Sequence, residues 1–192
     1  MNVIETFSMG KFGDPLRNED SFVITGDFVA VIDGVSHKRC PVINGKSGGR
    51  FASEVAAATV GVLPGNIDGL SAVKVFSERL RESVQKDYTL SPGIDPPSFA
   101  IVIYSRHRQQ IWRVGDPLLL IDGTYKSGEK AVDHLTCTAR AYVIEVALRR
   151  GASREDFMKR DIGREFIQPM LDDQHVFANK TGPFGYGVID GG

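Results

Sequence analysis

The chain has 192 residues, of which 42% are hydrophobic and 24% charged, and its net charge is −1. This is an ordinary globular composition, so we predict that residues 1–192 form one domain with a sizeable core. The balanced charge argues against nucleic-acid binding, and no apolar run is long enough to span a membrane. The two cysteines, Cys40 and Cys137, have no zinc-ligand spacing and are predicted to be free thiols in a reducing cytoplasm.

The first predicted elements are strands. Val3–Met9 mixes apolar and polar residues and is compatible with an edge strand. Ser21–Thr25 and Phe28–Ile32 flank Gly26-Asp27, a pair typical of a tight hairpin turn. Phe28–Ile32 is continuously apolar rather than alternating, which predicts a position in the middle of a sheet.

The middle of the chain predicts two helices and then three strands. Arg50–Val62 and Ser71–Lys86 carry apolar residues at spacings of three and four, and a short loop joins them. We expect the two helices to pack antiparallel. Phe99–Tyr104, Gln109–Val114 and Leu118–Ile121 are short, rich in β-branched residues and separated by turns, which predicts a three-stranded meander.

Two further helices are predicted at Cys137–Arg150 and Arg154–Leu171, the second interrupted near Gly163. A short strand-like run, Tyr186–Ile189, follows. This order predicts the α+β class, with two packed antiparallel sheets flanked by helix pairs in an α-β-β-α sandwich. The sequence ends on glycines soon after that run, so we expect the domain to be incomplete at its C-terminus and to lack its last strands.

Acidic residues stand at the ends of the predicted hairpin. Glu19 and Asp20 precede its first strand and Asp33 follows its second, with Asp20 and Asp33 each six residues from the turn. The hairpin should therefore bring Asp33 beside Glu19 or Asp20. Carboxylates held together repel one another, and a divalent cation with oxygen ligands, such as magnesium, manganese or calcium, removes that cost. Each acidic pair alone is an ordinary turn sequence, but their facing position favours a metal site.

Four motifs resemble, in order, those of the metal-dependent serine/threonine protein phosphatases of type 2C, the PPM family. Arg17-Asn18-Glu19-Asp20-Ser21 resembles the first signature, and Val29–Gly34, an apolar strand that ends in Asp-Gly, resembles the second. Gly48-Gly49 and the alanine-rich helix after it resemble the third, and Trp112–Asp116 resembles the fourth. The order and spacing agree over about residues 1–122.

The resemblance implies a pair of Mn²⁺ or Mg²⁺ ions bridged by Asp33 in the complete domain. Glu19 and the Gly34 carbonyl would hold one ion, and Asp20 would support its water shell. Asp116 would bind a weaker third ion. The implied activity is the hydrolysis of phosphoserine, phosphothreonine or another phosphomonoester by a metal-activated water, with a phosphoprotein or a small phosphoester as substrate.

The chain also departs from the family pattern. Val35 stands where the family has a histidine, and His37 lies two residues further on. Pro117-Leu118 replaces Ser-Arg after Gly-Asp, and Arg17 lies closer to Asn-Glu-Asp than the family's phosphate-binding arginine, although it is the candidate for that role. The remaining family aspartates lie on C-terminal strands, of which Asp190 could match the first. We therefore expect this chain to bind one divalent ion weakly and to hydrolyse phosphate esters poorly or not at all.

Other interpretations stay open. The chain could be a catalytically dead regulatory or binding module, or a structural domain whose carboxylates cap turns. Asn44–Ser47 resembles part of a P-loop, but Cys40 stands where that motif needs a glycine. A sheet edge left exposed by missing strands is compatible with a dimer. The basic residues of the last helices form either a solvated face or a docking surface for a phosphosubstrate: Arg149, Arg150, Arg154, Lys159, Arg160 and Arg164.

Overall fold

The computed structural model describes residues 2–10, 13–35 and 39–192. The chain divides into two compact units. The first comprises the described residues up to Gly128 together with Gly187–Gly192, and the second comprises Glu129–Tyr186. The expectation of one domain over the whole chain stays a prediction.

A four-stranded antiparallel sheet forms the centre of the first unit. Its strands are β1 (Asp20–Ile24), β2 (Phe28–Val35), β3 (Ser98–Ser105) and β4 (Gln110–Val114), in the spatial order β1-β2-β3-β4. The predicted hairpin is therefore confirmed, and the apolar run of β2 lies inside the sheet. Thr25 closes the turn, since its backbone N–H donates to the Phe28 carbonyl at 2.8 Å.

Two helices cover one face of this sheet: α1 (Gly48–Val60) and α2 (Gly69–Asp87). Helix α1 packs against β2, and α2 packs against α1, as the helix pattern predicted. The alanines on the inner side of α1 are fully buried, which lets the helix lie close to the strands. Phe76 of α2 meets Phe99 of β3 edge to face, with 5.9 Å between ring centroids.

The opposite face of the sheet carries exposed apolar side chains. Phe22, Val31 and Ile111 are all exposed there. Because side chains alternate along a strand, Asp20 and Asp33 lie on this same face, in the row next to Phe22 and Val31. Asp20 and Asp33 therefore stand on the side of the sheet away from α1 and α2.

The predicted three-stranded meander is wrong in its third strand. Leu119–Ile121 (β5) leaves the sheet and pairs with Thr124–Lys126 (β6), which the sequence pattern missed. The turn Ile121–Thr124 lets the chain reverse at once, so β5 finds its partner locally rather than at the edge of β4. Ile189 pairs with β3 beyond the residues that β4 contacts, and its backbone exchanges two 3.0 Å hydrogen bonds with Phe99.

The second unit contains three helices, α3 (Ala131–Arg149), α4 (Arg154–Lys159) and α5 (Ile162–Asp173), followed by a 3-10 turn at Gln174–Phe177. Helix α3 packs against α5. The predicted interruption near Gly163 is confirmed, because α4 ends at Lys159 and α5 begins at Ile162. No helix among the described residues is long and apolar enough to cross a membrane.

The predicted α+β class is confirmed by these elements: one four-stranded and one two-stranded antiparallel sheet with five helices in the described residues. The compatibility of Val3–Met9 with an edge strand is not borne out. That segment forms no strand, and its side chains are exposed. Its mixed pattern lacks the strict alternation that would bury one face against the sheet.

Candidate functional site

The β1–β2 hairpin places Asp20 directly opposite Asp33. This pairing was predicted from the equal distance of both residues from the turn, and it is confirmed. One cavity of about 70 Å³ lies at this end of the hairpin. Most of the residues predicted for the site line it, together with Met9 and Asn18: Arg17, Glu19, Asp20, Asp33 and Gly34.

The segment before β1 is held in place by the side chain of Asn18. Its amide oxygen accepts a hydrogen bond from the backbone N–H of Asp20 at 3.1 Å, and its amide nitrogen donates to Ser8 Oγ at 2.7 Å. The first of these bonds forms a local turn of the kind asparagine favours. It fixes the direction in which the chain enters β1, and so where Glu19 stands.

Gly34 allows three backbone segments to meet at the cavity. Its N–H donates to the Glu19 carbonyl at 3.2 Å. A Cβ atom at this position would lie 2.1 Å from the Gly49 carbonyl oxygen and 2.6 Å from the Glu19 carbonyl oxygen. Only glycine fits between the start of α1 and the segment before β1, which is a structural reason for the glycine in Asp-Gly.

The start of helix α1 also contacts Glu19. Ser47 is the N-cap of α1, and its Oγ accepts from the Arg50 backbone N–H at 3.3 Å. The same hydroxyl donates to Glu19 Oε1 at 2.5 Å. Sequence reasoning missed this role, although a serine directly before an alanine-rich helix is a recognisable N-cap signal.

Arg50 holds the backbone beside Glu19. Its Nη1 donates to the Asn18 carbonyl at 2.8 Å, and its Nε donates to Glu54 Oε1 at 2.6 Å. Lys46 Nζ lies 2.5 Å from the other oxygen of Glu54. Burial opposes the ionisation of Glu54, but the hydrogen bonds and charges of Lys46 and Arg50 outweigh it and lower the pKa of that carboxyl.

These contacts bear on the P-loop interpretation. The lysine and serine that resembled the end of that motif are Lys46, which pairs with Glu54, and Ser47, which caps α1 and bonds Glu19. A P-loop needs its lysine directed at bound phosphates and its loop to follow a strand of a βαβ unit. The second condition is not met, because the sheet here is antiparallel, and Lys46 is paired with Glu54 instead of pointing into an open loop.

The donor set of the cavity fits a hard divalent cation in its chemistry, because carboxylate and carbonyl oxygens are the groups present. The arrangement is open: within residues 2–10, 13–35 and 39–192, no three His, Cys, Asp or Glu side chains stand close enough together to hold an ion. Glu19, Asp20 and Asp33 line one cavity without converging on one point.

The structure places the other predicted residues elsewhere. Asp116 does not line the cavity; it follows Gly115, whose positive φ of 89° turns the chain away from the end of β4. Asp190 also lies outside the cavity lining and follows Ile189, the residue paired with Phe99. His37 lies outside the described residues. The metal roles of Asp116 and Asp190 stay predictions.

Two of the six basic residues singled out in the second unit pair with acidic neighbours. Arg149 Nε lies 2.7 Å from Glu145 Oε1, and Arg160 forms a two-pronged pair with Glu165 at 2.7–3.0 Å. Hydrogen bonds from Arg160 lower the pKa of Glu165. A solvated helix face with local charge pairs is the interpretation that these contacts favour.

No family model matches the sequence, and no curated protein sequence does either. Among solved structures, the chain is similar to the serine/threonine phosphatase PstP/Ppp of Mycobacterium tuberculosis, at 16% identity and a TM-score of 0.44, over 91% of this chain and 63% of that one. It is also similar to the catalytic domain of PstP in complex with two manganese ions, at 20% identity and a TM-score of 0.40, over 59% of this chain and 49% of that one.

A third similar structure is the PPM Ser-Thr phosphatase MsPP of Mycobacterium smegmatis in complex with cacodylate, at 21% identity and a TM-score of 0.38. The alignment covers 63% of this chain and 51% of MsPP. The chain thus spans about half to two thirds of the length of these structures. All three are named as serine/threonine phosphatases.

Proposed function

We propose that this chain is a metal-dependent phosphatase-like domain that acts on phosphoserine, phosphothreonine or another phosphomonoester through a metal-activated water. The observation that carries the proposal is the pairing of Asp20 with Asp33 in one cavity that Arg17, Glu19 and Gly34 also line. Two structural turns would not need to bring an arginine and three carboxylates to the same cavity.

In this proposal Asp33, Glu19 and the Gly34 carbonyl would hold one Mn²⁺ or Mg²⁺ ion, and Asp20 would accept hydrogen bonds from water bound to it. A divalent ion bound there would supply a nucleophilic water at neutral pH and would offset the negative charge of the phosphoryl group. The protein residues then orient the water and the ester. No covalent nucleophile is required, which agrees with the positions of Cys40 and Cys137 outside the cavity lining.

Arg17 is the proposed phosphate-binding residue. Its Nε lies 3.5 Å from Asp14 Oδ2, and its side chain is 64% exposed. An exposed ion pair of this kind contributes little stability. A phosphate group, which accepts two parallel hydrogen bonds from a guanidinium, can therefore compete with Asp14 for Arg17.

The alternative proposal is a catalytically dead regulatory or binding module. It is favoured by Val35, which stands where the resembled family has a histidine, and by the open arrangement of the three carboxylates. In this chain we propose weak binding of one ion and little or no turnover. Because little turnover is also expected of the phosphatase proposal in this chain, turnover that requires Mn²⁺ and is lost in Asp33→Asn is the result that would exclude this alternative.

The first experiment is calorimetric titration of Mn²⁺ into the 192-residue chain and its Asp33→Asn variant, with p-nitrophenyl phosphate turnover followed in parallel. Asp27→Asn is the matched control, because Asp27 is an exposed aspartate in the turn at the far end of the same hairpin. We expect Mn²⁺ binding that Asp33→Asn abolishes and Asp27→Asn leaves unchanged. Absence of binding, or equal binding by all three proteins, would refute the metal site.

Three finer points belong to the proposal. The choice between Mn²⁺ and Mg²⁺ is tested by the same titration with each ion. A phosphoprotein substrate is tested with phosphoserine and phosphothreonine peptides beside p-nitrophenyl phosphate. A cytoplasmic location stays a proposal: Cys40 and Cys137 are not joined in a disulfide, which fits a reducing compartment, and fractionation of cells tests it.

A dimer through a sheet edge also stays a proposal. Strands β1 and β4 stand at the two ends of the strand order, so each offers backbone groups on one side to a further strand. Light scattering coupled to size exclusion would measure the mass directly. A monomer at all concentrations would refute this proposal without affecting the metal site.

A further inference from the structure

The geometry points to Ser47 as a positioning residue for Glu19: its hydroxyl sets the orientation of a carboxylate that we propose as a metal ligand. This inference rests on the proposed metal site and adds a residue to it. Ser47 lies 28 positions from Glu19 in the sequence and belongs to none of the four motifs. Its contact with Glu19 arises only because α1 begins beside the hairpin end.

Ser47 makes two hydrogen bonds with different consequences. Its Oγ accepts from the Arg50 N–H at 3.3 Å, which caps the helix, and donates its proton to Glu19 Oε1 at 2.5 Å. A hydroxyl that is held by a backbone N–H cannot rotate freely, so the proton it donates has a fixed direction. Glu19 Oε1 is thereby engaged, and the geometry of the carboxylate about that oxygen is set before any cation arrives.

Arg50 fixes the backbone of the same segment from the same helix turn. Its Nη1 donates to the Asn18 carbonyl at 2.8 Å, and its Nε is held by Glu54 at 2.6 Å. The peptide bond between Asn18 and Glu19 is thus tied to α1 by Arg50, and the Glu19 side chain by Ser47. Because both its backbone and its side chain are held in this way, Glu19 has few side-chain rotamers accessible to it.

A Glu19 carboxylate that is oriented in advance should raise the affinity of the proposed site for a metal ion. A glutamate that must be ordered by the ion loses rotamer freedom on binding, which weakens the affinity. Hydrogen bonds from neighbouring residues to a ligating group hold it in position, and their removal typically weakens metal binding about 10-fold to 100-fold. The negative charge of Glu19 also lies at the N-terminus of α1, where the helix dipole favours it.

The test compares Mn²⁺ affinity by calorimetry in the full chain and three variants. Ser47→Gly removes the hydroxyl, and glycine is tolerated at an N-cap. Ser47→Thr retains it. Asp68→Gly is the matched control, since Asp68 caps α2 through a 2.9 Å bond to Ser71 N and does not line the cavity. Thermal unfolding of each protein reports the loss of the cap itself.

We expect Mn²⁺ to bind Ser47→Gly about tenfold more weakly than the unmodified chain. Ser47→Thr and Asp68→Gly should bind Mn²⁺ with nearly the affinity of the unmodified chain. Equal affinity in Ser47→Gly and the unmodified chain would overturn the inference and leave the proposed metal site intact. Equal weakening in Ser47→Gly and Asp68→Gly would assign the effect to helix capping and would also overturn it. No Mn²⁺ binding by the unmodified chain would refute the proposed function itself.

Discussion

Replacing Gly34 by alanine tests the packing that brings the site together. The added Cβ would lie 2.1 Å from the Gly49 carbonyl oxygen, 2.5 Å from the Gly49 carbonyl carbon and 2.6 Å from the Glu19 carbonyl oxygen. Ordinary Cβ contacts begin near 3.4 Å. All three atoms belong to backbones, so no side chain can rotate away, and the start of α1 or the segment before β1 must shift by about 1 Å.

We expect Gly34→Ala to lower the free energy of unfolding by about 3 kcal/mol, the upper part of the range for overpacking in a well-packed region. Urea unfolding followed by circular dichroism measures this difference. The same shift would displace Glu19 from Asp33, so Mn²⁺ binding should be lost in the protein that remains folded.

Gly26→Ala is the matched control, because a Cβ at Gly26 meets no atom within 4 Å and its backbone is not in the left-handed region. The control should change stability by less than about 1 kcal/mol. If Gly34→Ala unfolds at the same urea concentration as Gly26→Ala, the close approach of Gly34 to α1 does not exist in solution, and the reasoning is refuted.

Two other predictions concern stability. The folded pKa of Glu54 lies below its ordinary value of 4.5, so its ion pairs with Lys46 and Arg50 stabilise the fold fully above pH 4.5, and this contribution is lost as the pH falls through the folded value. As the pH is lowered below 4.5, the thermal stability of Glu54→Gln should fall less than that of the unmodified chain. An equal fall in both proteins would contradict this prediction. Ser98 is 2% exposed, and its Oγ has no hydrogen-bond partner among the described residues, so Ser98→Ala should raise the free energy of unfolding in urea by up to about 1 kcal/mol. A loss of more than that amount would show that the hydroxyl has a partner in solution.

The sequence by itself determined the hairpin and the pairing of its carboxylates. A two-residue turn fixes the register of both strands, so counting outward from Gly26-Asp27 was enough to place Asp20 opposite Asp33. The helices α1 and α2 were likewise readable, because apolar residues at spacings of three and four indicate one buried face. Both inferences depend on interactions within a short stretch of chain.

Local patterns could not decide which strands join the sheet. Leu119–Ile121 has the composition of a sheet strand, yet it pairs with Thr124–Lys126 just beyond it. Ile189, at the other end of the chain, takes the place beside Phe99. Strand composition predicts that a segment is extended, but the partner is chosen by competition between a local turn and a distant edge.

Only the tertiary structure decided what surrounds Glu19. Ser47 and Arg50 reach the segment of Asn18 and Glu19 across 28 and 32 positions, and Gly34 meets Gly49 in the same small volume. No periodicity encodes such contacts, because they depend on the angle at which α1 crosses the sheet. The sequence alone showed which residue types the candidate site contains. The close packing of α1 on β2 decides which of these residues are held in position and which neighbours hold them.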